Sequence, residues 1–259
     1  MKALLSSTYF GPIQWYQKLN RYDECLIERH ESFIKQTYRN RMIIPTTNGP
    51  LSLTIPTNHD ISLSMKDIRI SDHANWRHVH WNALLSAYGE SPFFEYYQDD
   101  IRPFYEKKYE FLFDFNMETT AKMIELLDIR PKISITEEYI LSEERRVKSE
   151  ESEERRVKSE ESEERRVRSE ETTFGGQGES QFDSIADHKV QSSNLKVQSK
   201  EVQSIVDFRD AIRPKKPLPD AEFAPQRYYQ VYEQKHGFQP NMSILDLLFN
   251  EGNEAIFYL

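Results

Sequence analysis

The sequence predicts an α/β protein: a single domain with a mixed, partly parallel sheet flanked by helices, interrupted by a charged low-complexity insertion. Three observations carry that prediction. The chain opens on an apolar run, Ala3 to Thr8, then a turn, a helical stretch and a second apolar run at Glu24 to Glu28. That strand–helix–strand order favours parallel pairing. Three further helical stretches follow and lead into a short apolar run, Lys132 to Ile135. Finally, a charged ten-residue unit recurs three times in mid-chain, where no core can form.

The elements follow in order. Tyr9-Phe10-Gly11-Pro12 is a turn, and Pro12 suits the first turn of a helix ending near Leu19. Glu24 to Glu28 is the second strand. Ile43-Ile44, Leu51 to Pro56 and Met65 to Ile70 read as strands, with turns at Asn48-Gly49 and His59-Asp60. Trp76 to Tyr88 and Phe93 to Glu106 are helices. A third runs from Asn116 to Leu127, with Asn116 as its cap. Near the C-terminus, helices are expected over Pro225 to Lys235 and Ser243 to Phe249. The latter has Ser243 as N-cap and Asp246 three residues on. Ala255 to Leu259 is a terminal strand or a helix end.

The insertion reads SEERRVKSEE, SEERRVKSEE, SEERRVRSEE from Ser142 to Glu171. Each unit sets four Glu against three Lys or Arg and holds one Val, too little apolar surface to offset ordering entropy. Pairs such as Glu144 with Lys148 support a solvated helix, and disorder is the alternative. Thr172 to about Gln203 stays polar and reads as a linker. The organisation is therefore a first core segment at 1–141, the repeat and linker at 142–204, and a second core segment at 205–259.

Composition narrows the function classes. Hydrophobic residues make up 37% of the 259, and aromatics 12%, enough for a core of about 195 residues. The net charge of −9 argues against general nucleic-acid binding. The lone cysteine, Cys25, forms no internal disulfide, and no apolar run reaches membrane-spanning length. The N-terminal run is too short for a signal peptide. The expected location is the cytoplasm.

Few residues carry a chemical signal. Lys35-Gln36-Thr37-Tyr38-Arg39-Asn40-Arg41 is the densest basic stretch outside the repeat. If extended, it sets Lys35, Thr37, Arg39 and Arg41 on one face, suited to a phosphate or carboxylate. The alternative is a solvated loop or edge strand. Trp76, His80, Leu84 and Tyr88 share a helix face. A histidine among aromatics is a candidate general base, or a hydrogen-bonded structural residue. Cys25, in an apolar stretch, reads as a buried strand residue rather than a nucleophile. The turn at Tyr9 to Pro12 has the location of a ligand site in open parallel sheets. The seven histidines are scattered without metal-site spacing, and there is no dinucleotide, phosphate-loop or serine-elbow motif.

Taken together, Lys35 to Arg41 ending in Asn40-Arg41, Leu53-Thr54-Ile55-Pro56, Trp76 with His80, Ala87-Tyr88 and Ser91-Pro92-Phe93-Phe94 resemble the WbqC-like family. Tyr229-Gln230-Val231-Tyr232, Gly237-Phe238 and Asn241 to Gly252 resemble its Bacteroidetes branch. The likeness covers the two core segments and skips 142 to about 204. It departs at the start, where many members carry a His-Gln-Pro-type motif and this chain reads Ser7-Thr8-Tyr9. The resemblance implies surface-polysaccharide biosynthesis, with an acyl or aminoacyl group attached to an amino sugar. On that implication His80 is the catalytic base. Tyr9, Lys35, Asn40, Arg41, Trp76 and Tyr88 bind a small-molecule substrate, a sugar nucleotide or acyl donor. No cofactor and no metal are expected. The alternative is a non-catalytic binding or assembly protein that presents Phe93-Phe94-Glu95-Tyr96-Tyr97 to a partner. A third reading makes the charged repeat itself the interaction arm.

Overall fold

The computed structural model describes residues 1–58, 63–141 and 204–259. The expected turn at His59-Asp60, the charged repeat and the linker after it lie outside the described residues. The chain is α/β, as its sequence predicts.

Strand β1 (Lys2–Ser6) is almost wholly buried, as a continuous apolar run in a parallel sheet requires. Pro12 forms the extended cap of helix α1 (Ile13–Arg21), and the chain returns through β2 (Glu24–Glu28). β1 and β2 pair in parallel, Leu4 opposite Leu26. β7 (Ile133–Ile135) adds outside β2, and β8 (Ile205–Asp207) adds on the free side of β1, both also parallel. The order β7-β2-β1-β8 makes β1 the strand at which the winding reverses. The carboxyl ends of β1 and β8 form the crevice where open α/β sheets generally take ligands.

A hairpin of β3 (Arg41–Thr46) and β4 (Gly49–Thr54) stands apart from that sheet, with Arg41 opposite Thr54. Gly49, at φ +99°, makes its turn possible. Two short strands, β5 (Thr57–Asn58) and β6 (Arg69–Ile70), pair antiparallel. The run from Met65 is a 3-10 turn for three residues before β6 begins, rather than one strand.

Helix α2 (Trp76–Tyr88) has the expected limits. The helix expected over 93–106 is two, α3 (Phe94–Ile101) and α4 (Pro103–Glu106), because Pro103 cannot continue the ladder. α5 (Leu112–Leu126) starts four residues before Asn116. Asn116 is therefore interior and fully buried, not a cap. The expected helix over 225–235 is only α6 (Glu233–His236). α7 (Ile244–Glu251) is capped by Ser243, whose Oγ accepts from the Leu245 N–H, and a 3-10 segment (Gly252–Tyr258) ends the chain.

The C-terminal segment closes the core over the β1–α1 turn. Ser243 donates its hydroxyl to the Phe10 carbonyl at 2.8 Å, and the Ile244 N–H reaches Gly11 O at 2.9 Å. Gly11 has no room for a side chain, since a Cβ there would lie 2.4 Å from Thr8 Oγ1.

Candidate functional site

The strip Thr54-Ile55-Pro56, leaving the hairpin, organises the region. Arg41 Nε donates to Thr54 Oγ1 at 3.0 Å, the cross-strand contact that their register dictates. Asn40 Nδ2 donates to the Ile55 carbonyl at 2.9 Å, and the Ile55 N–H returns to Asn40 O at 2.8 Å. The Pro56 carbonyl takes the Ser71 N–H at 2.9 Å, which brings the start of α2 alongside.

From α2, His80 reaches this strip. Its ring hydrogen-bonds the Thr54 backbone, while Nδ1 lies 3.0 Å from the Tyr9 hydroxyl. With an N–H held by the Thr54 carbonyl, Nδ1 is left to accept the Tyr9 proton. Tyr9 Oη in turn lies 2.8 Å from Tyr105 Oη. His80 is 4% exposed, and burial lowers its pKa to about 4, so the ring is neutral at neutral pH. Burial, with Tyr105 second, holds the Tyr9 hydroxyl well above its usual range. Trp76 crosses His80 at 5.2 Å between centroids and Phe115 at 6.1 Å, and is 4% exposed.

Asn40, Arg41 and His80 therefore meet on Thr54 and Ile55, and Tyr9 and Trp76 join them through His80. Lys35 and Tyr88 do not join them. Lys35 is exposed on a turn, next to Gln36, which accepts from Lys215 Nζ at 3.0 Å. Tyr88 packs on Phe249 at 5.0 Å, and burial, then Asp246, raises its hydroxyl pKa. Residues 35–41 do not share one face: Lys35 is exposed, while Thr37, Arg39 and Asn40 are buried. Cys25 is buried in β2, and burial pushes its thiol up to about 12, which leaves no thiolate for attack.

This chain belongs to the WbqC-like protein family. The family's model matches residues 7–166 and 219–258, which includes every residue just placed on the strip. The match runs into the repeat, to 166, and resumes at 219, whereas the likeness was expected to skip 142 to about 204. No curated protein and no solved structure matches the chain.

The carboxyl edge of this WbqC-like protein's sheet holds groups that sequence reasoning did not pair. Arg39, 2% exposed, is clamped by Glu31, which takes Nε at 2.9 Å and also Nη2, and Nη2 reaches Ser6 Oγ at 2.9 Å. Arg209 grips Asp207 through Nε at 2.9 Å and Nη2 at 2.7 Å, with Glu28 3.6 Å from Nη1. Between the two arginines, beside Ser6 and Thr8, lies a cavity of about 10 Å³, at the lower limit of what admits one water molecule. Arg39 already has its carboxylate, so it offers no charge to a ligand's phosphate in this arrangement. The alternation of cations at 35, 39 and 41 gave no sign of this, because Glu31 pairs with Arg39 through a turn.

No helix among the described residues is long and apolar enough to cross a membrane. Among the described residues, no three His, Cys, Asp or Glu side chains are grouped to hold a metal ion.

Proposed function

We propose that the protein is a transferase that places an acyl or aminoacyl group on an amino sugar for surface polysaccharide. Its substrate is a nucleotide-linked or lipid-linked sugar with a phosphate near the reacting amine. The observation that carries this reading is the meeting of Asn40, Arg41 and His80 on Thr54-Ile55, with Tyr9 and Trp76 against the His80 ring. Family membership supplies the biosynthetic context.

Arg41 is the anion anchor. Its Nε rests on a neutral hydroxyl, Thr54 Oγ1, so its charge is not spent on a carboxylate there. A phosphate oxygen gains a charge-assisted bond from such a guanidinium. His80 is in the neutral form that accepts a proton. The hydroxyls of Tyr9 and Tyr105 extend a path from its Nδ1. The sugar amine attacks the carbonyl of an activated donor, the C–N bond forms and the donor's leaving group departs. The amine's proton passes through the Tyr hydroxyls to His80. An activated donor makes a covalent nucleophile on the protein unnecessary, in keeping with the inert Cys25.

The enclosure of His80 favours a second reading, a binding or assembly protein without turnover: at 4% exposure, with Tyr9 and Thr54 on its ring, it is built like a structural histidine. Thermal melting with nucleotide-linked amino sugars and with acyl-CoA separates the readings. The transferase reading expects a sugar nucleotide to raise Tm and Arg41→Ala to remove that rise. It also expects His80→Gln to keep the rise while turnover falls by about 10²-fold or more. No rise with any sugar nucleotide, or one indifferent to Arg41→Ala, defeats the reading. Ligand binding by a protein that turns over no donor–acceptor pair establishes the second.

A further inference from the structure

Two loops at the carboxyl edge of the main sheet carry cations that no acid answers. One follows β2 and holds Ile34-Lys35-Gln36. The other follows β8 and runs Arg213-Pro214-Lys215-Lys216-Pro217-Leu218-Pro219. Both lead from the small cavity at that edge, the first through Tyr38 and Arg39, the second through Arg209 and Ile212. Lys215 Nζ donates to Gln36 Oε1 at 3.0 Å, which joins the loops into one surface.

Lys35, Lys215 and Lys216 are exposed, and among the described residues none of the three is paired with a carboxylate. The acids nearest to them in the chain are engaged elsewhere: Glu31 by Arg39, Asp210 by Arg213 and Asp220 by Lys18. The whole chain carries −9, so these loops are a local reversal of sign. At physiological salt, exposed charges more than about 8 Å away are largely screened, and the local sign is the one a partner meets.

Aliphatic side chains stand among the lysines. Ile34 is 39% exposed and Leu218 47%. Leu218 sits between two prolines, and its N–H donates to Asp210 O at 3.0 Å, so the backbone that presents it is fixed. Both loops are also strained. Gln36, at φ +62°, and Lys216, at φ +50°, are non-glycine residues in left-handed backbone. Lys216 precedes a proline as well, which favours extended backbone instead. Strain of this kind persists where the surrounding structure imposes it, and it clusters at binding sites.

We propose that the two loops dock the protein on an anionic lipid bilayer. Lys35, Lys215 and Lys216 lie against the acidic headgroups, and Ile34 and Leu218 enter the boundary between headgroups and acyl chains. A soluble polyanion would answer the lysines alone and leave the aliphatic side chains in water, whereas a bilayer surface answers both. Three prolines stiffen the second loop, so docking costs it little ordering entropy. The attachment is reversible and needs no spanning helix. It goes beyond the transferase reading and does not rest on it, because none of these residues takes part there.

The test is flotation of the full chain with phosphatidylcholine vesicles, plain or containing about a third phosphatidylglycerol. The anionic vesicles should carry the protein and the neutral ones should not. Raising salt from about 0.05 M to about 0.5 M should release most of it. Lys35→Ala, Lys215→Ala and Lys216→Ala together should weaken partitioning by about 100-fold. Leu218→Asn should weaken it by about 3- to 10-fold and leave the salt dependence unchanged. Lys107→Ala, Lys108→Ala and Lys132→Ala make the same change in net charge at lysines already paired with Glu118, Asp72 and Glu24, and should float like the parent. The proposal is wrong if phosphatidylglycerol makes no difference, or if the second triple variant loses as much as the first. It is also wrong if heparin strips the protein from the vesicles while Leu218→Asn floats like the parent, since the loops then hold a soluble polyanion. No arm of this test involves Arg41 or a sugar nucleotide, so its failure leaves the transferase reading to be judged on its own.

Discussion

Two buried acids in this protein are treated in opposite ways. At the carboxyl edge of the sheet, Glu31 is 3% exposed and faces the cation Arg39. Under α7, Asp246 is wholly buried and faces only neutral donors: the Tyr228 hydroxyl, Gln230 Nε2 at 2.8 Å and Asn250 Nδ2 at 3.2 Å. A cation makes the charged acid the form that suits the site. Neutral donors lower the cost of a buried charge without cancelling it, and Asp246 is raised from 3.8 to about 6, with burial the largest cause. The first cluster therefore depends on both its members being present, and the second depends on pH.

Removing one member of the first cluster is the harshest way to break this contrast. Arg39→Ala leaves Glu31 buried without its counter-charge. The expected loss is about 3–5 kcal/mol of unfolding free energy in urea. Exchanging both for neutral residues, Arg39→Met with Glu31→Gln, should recover a large part of it. A loss below about 1 kcal/mol for Arg39→Ala alone would mean that water reaches Glu31 and that the edge is not sealed.

The second cluster answers to a titration. Above its unfolded pKa and below about 6, Asp246 holds a proton in the folded protein that the unfolded chain has released. Folding is therefore favoured at the acid end, and this contribution is lost as pH rises through about 6. The size is on the order of 3 kcal/mol, the free-energy equivalent of the shift. Asp246→Asn removes the titration. Measured against the parent by urea unfolding at pH 4 and pH 7, the variant should gain by that amount at the higher pH. A difference between parent and variant that ignores pH would show that Asp246 is ionised throughout.

The same contrast separates what the sequence revealed from what it hid. β2 and α2 have the limits that local patterning predicts, and Ser243 caps α7 as its residue type suggests. These are decided by neighbours in the chain. Asn116 was misread because an asparagine usually caps a helix. Here Asn116 is held inside α5 by the Arg39 carbonyl, taken by its Nδ2 at 2.8 Å. The stretch 225–232 was misread for a similar reason. Tyr228 and Gln230 are drawn to Asp246, and that attraction overrides helical spacing. Pro103, by contrast, was a readable break. In the site, alternation could not predict that Arg39 turns inward to Glu31 while Lys35 stays in solvent.

Asn116 extends the comparison to a neutral residue beside the ion pair. Its amide donates to Arg39 O and to Ser7 Oγ at 3.2 Å, joining α5 to the turn that carries Arg39. Asn116→Ala should cost about 1–3 kcal/mol by the same urea measurement, for the buried carbonyl it strands. That places it below the loss of Arg39. A cost equal to that of Arg39→Ala would mean that the amide, rather than the guanidinium, holds the edge together.

The smallest effect belongs to an ion pair of the same chemistry in water. Arg102 Nε meets Glu106 Oε1 at 2.7 Å, one turn apart, with side chains 58% and 59% exposed. The distance is shorter than the 2.9 Å between Arg39 Nε and Glu31, yet distance does not decide its worth. Solvent screens both partners and takes either one back at little cost when the other is removed. Arg102→Ala should therefore change stability by less than about 0.5 kcal/mol. The tenfold gap expected between Arg39→Ala and Arg102→Ala is then a measure of burial alone. If the two losses were similar, water would be reaching Glu31 once the guanidinium is gone, and burial would not set the worth of the pair.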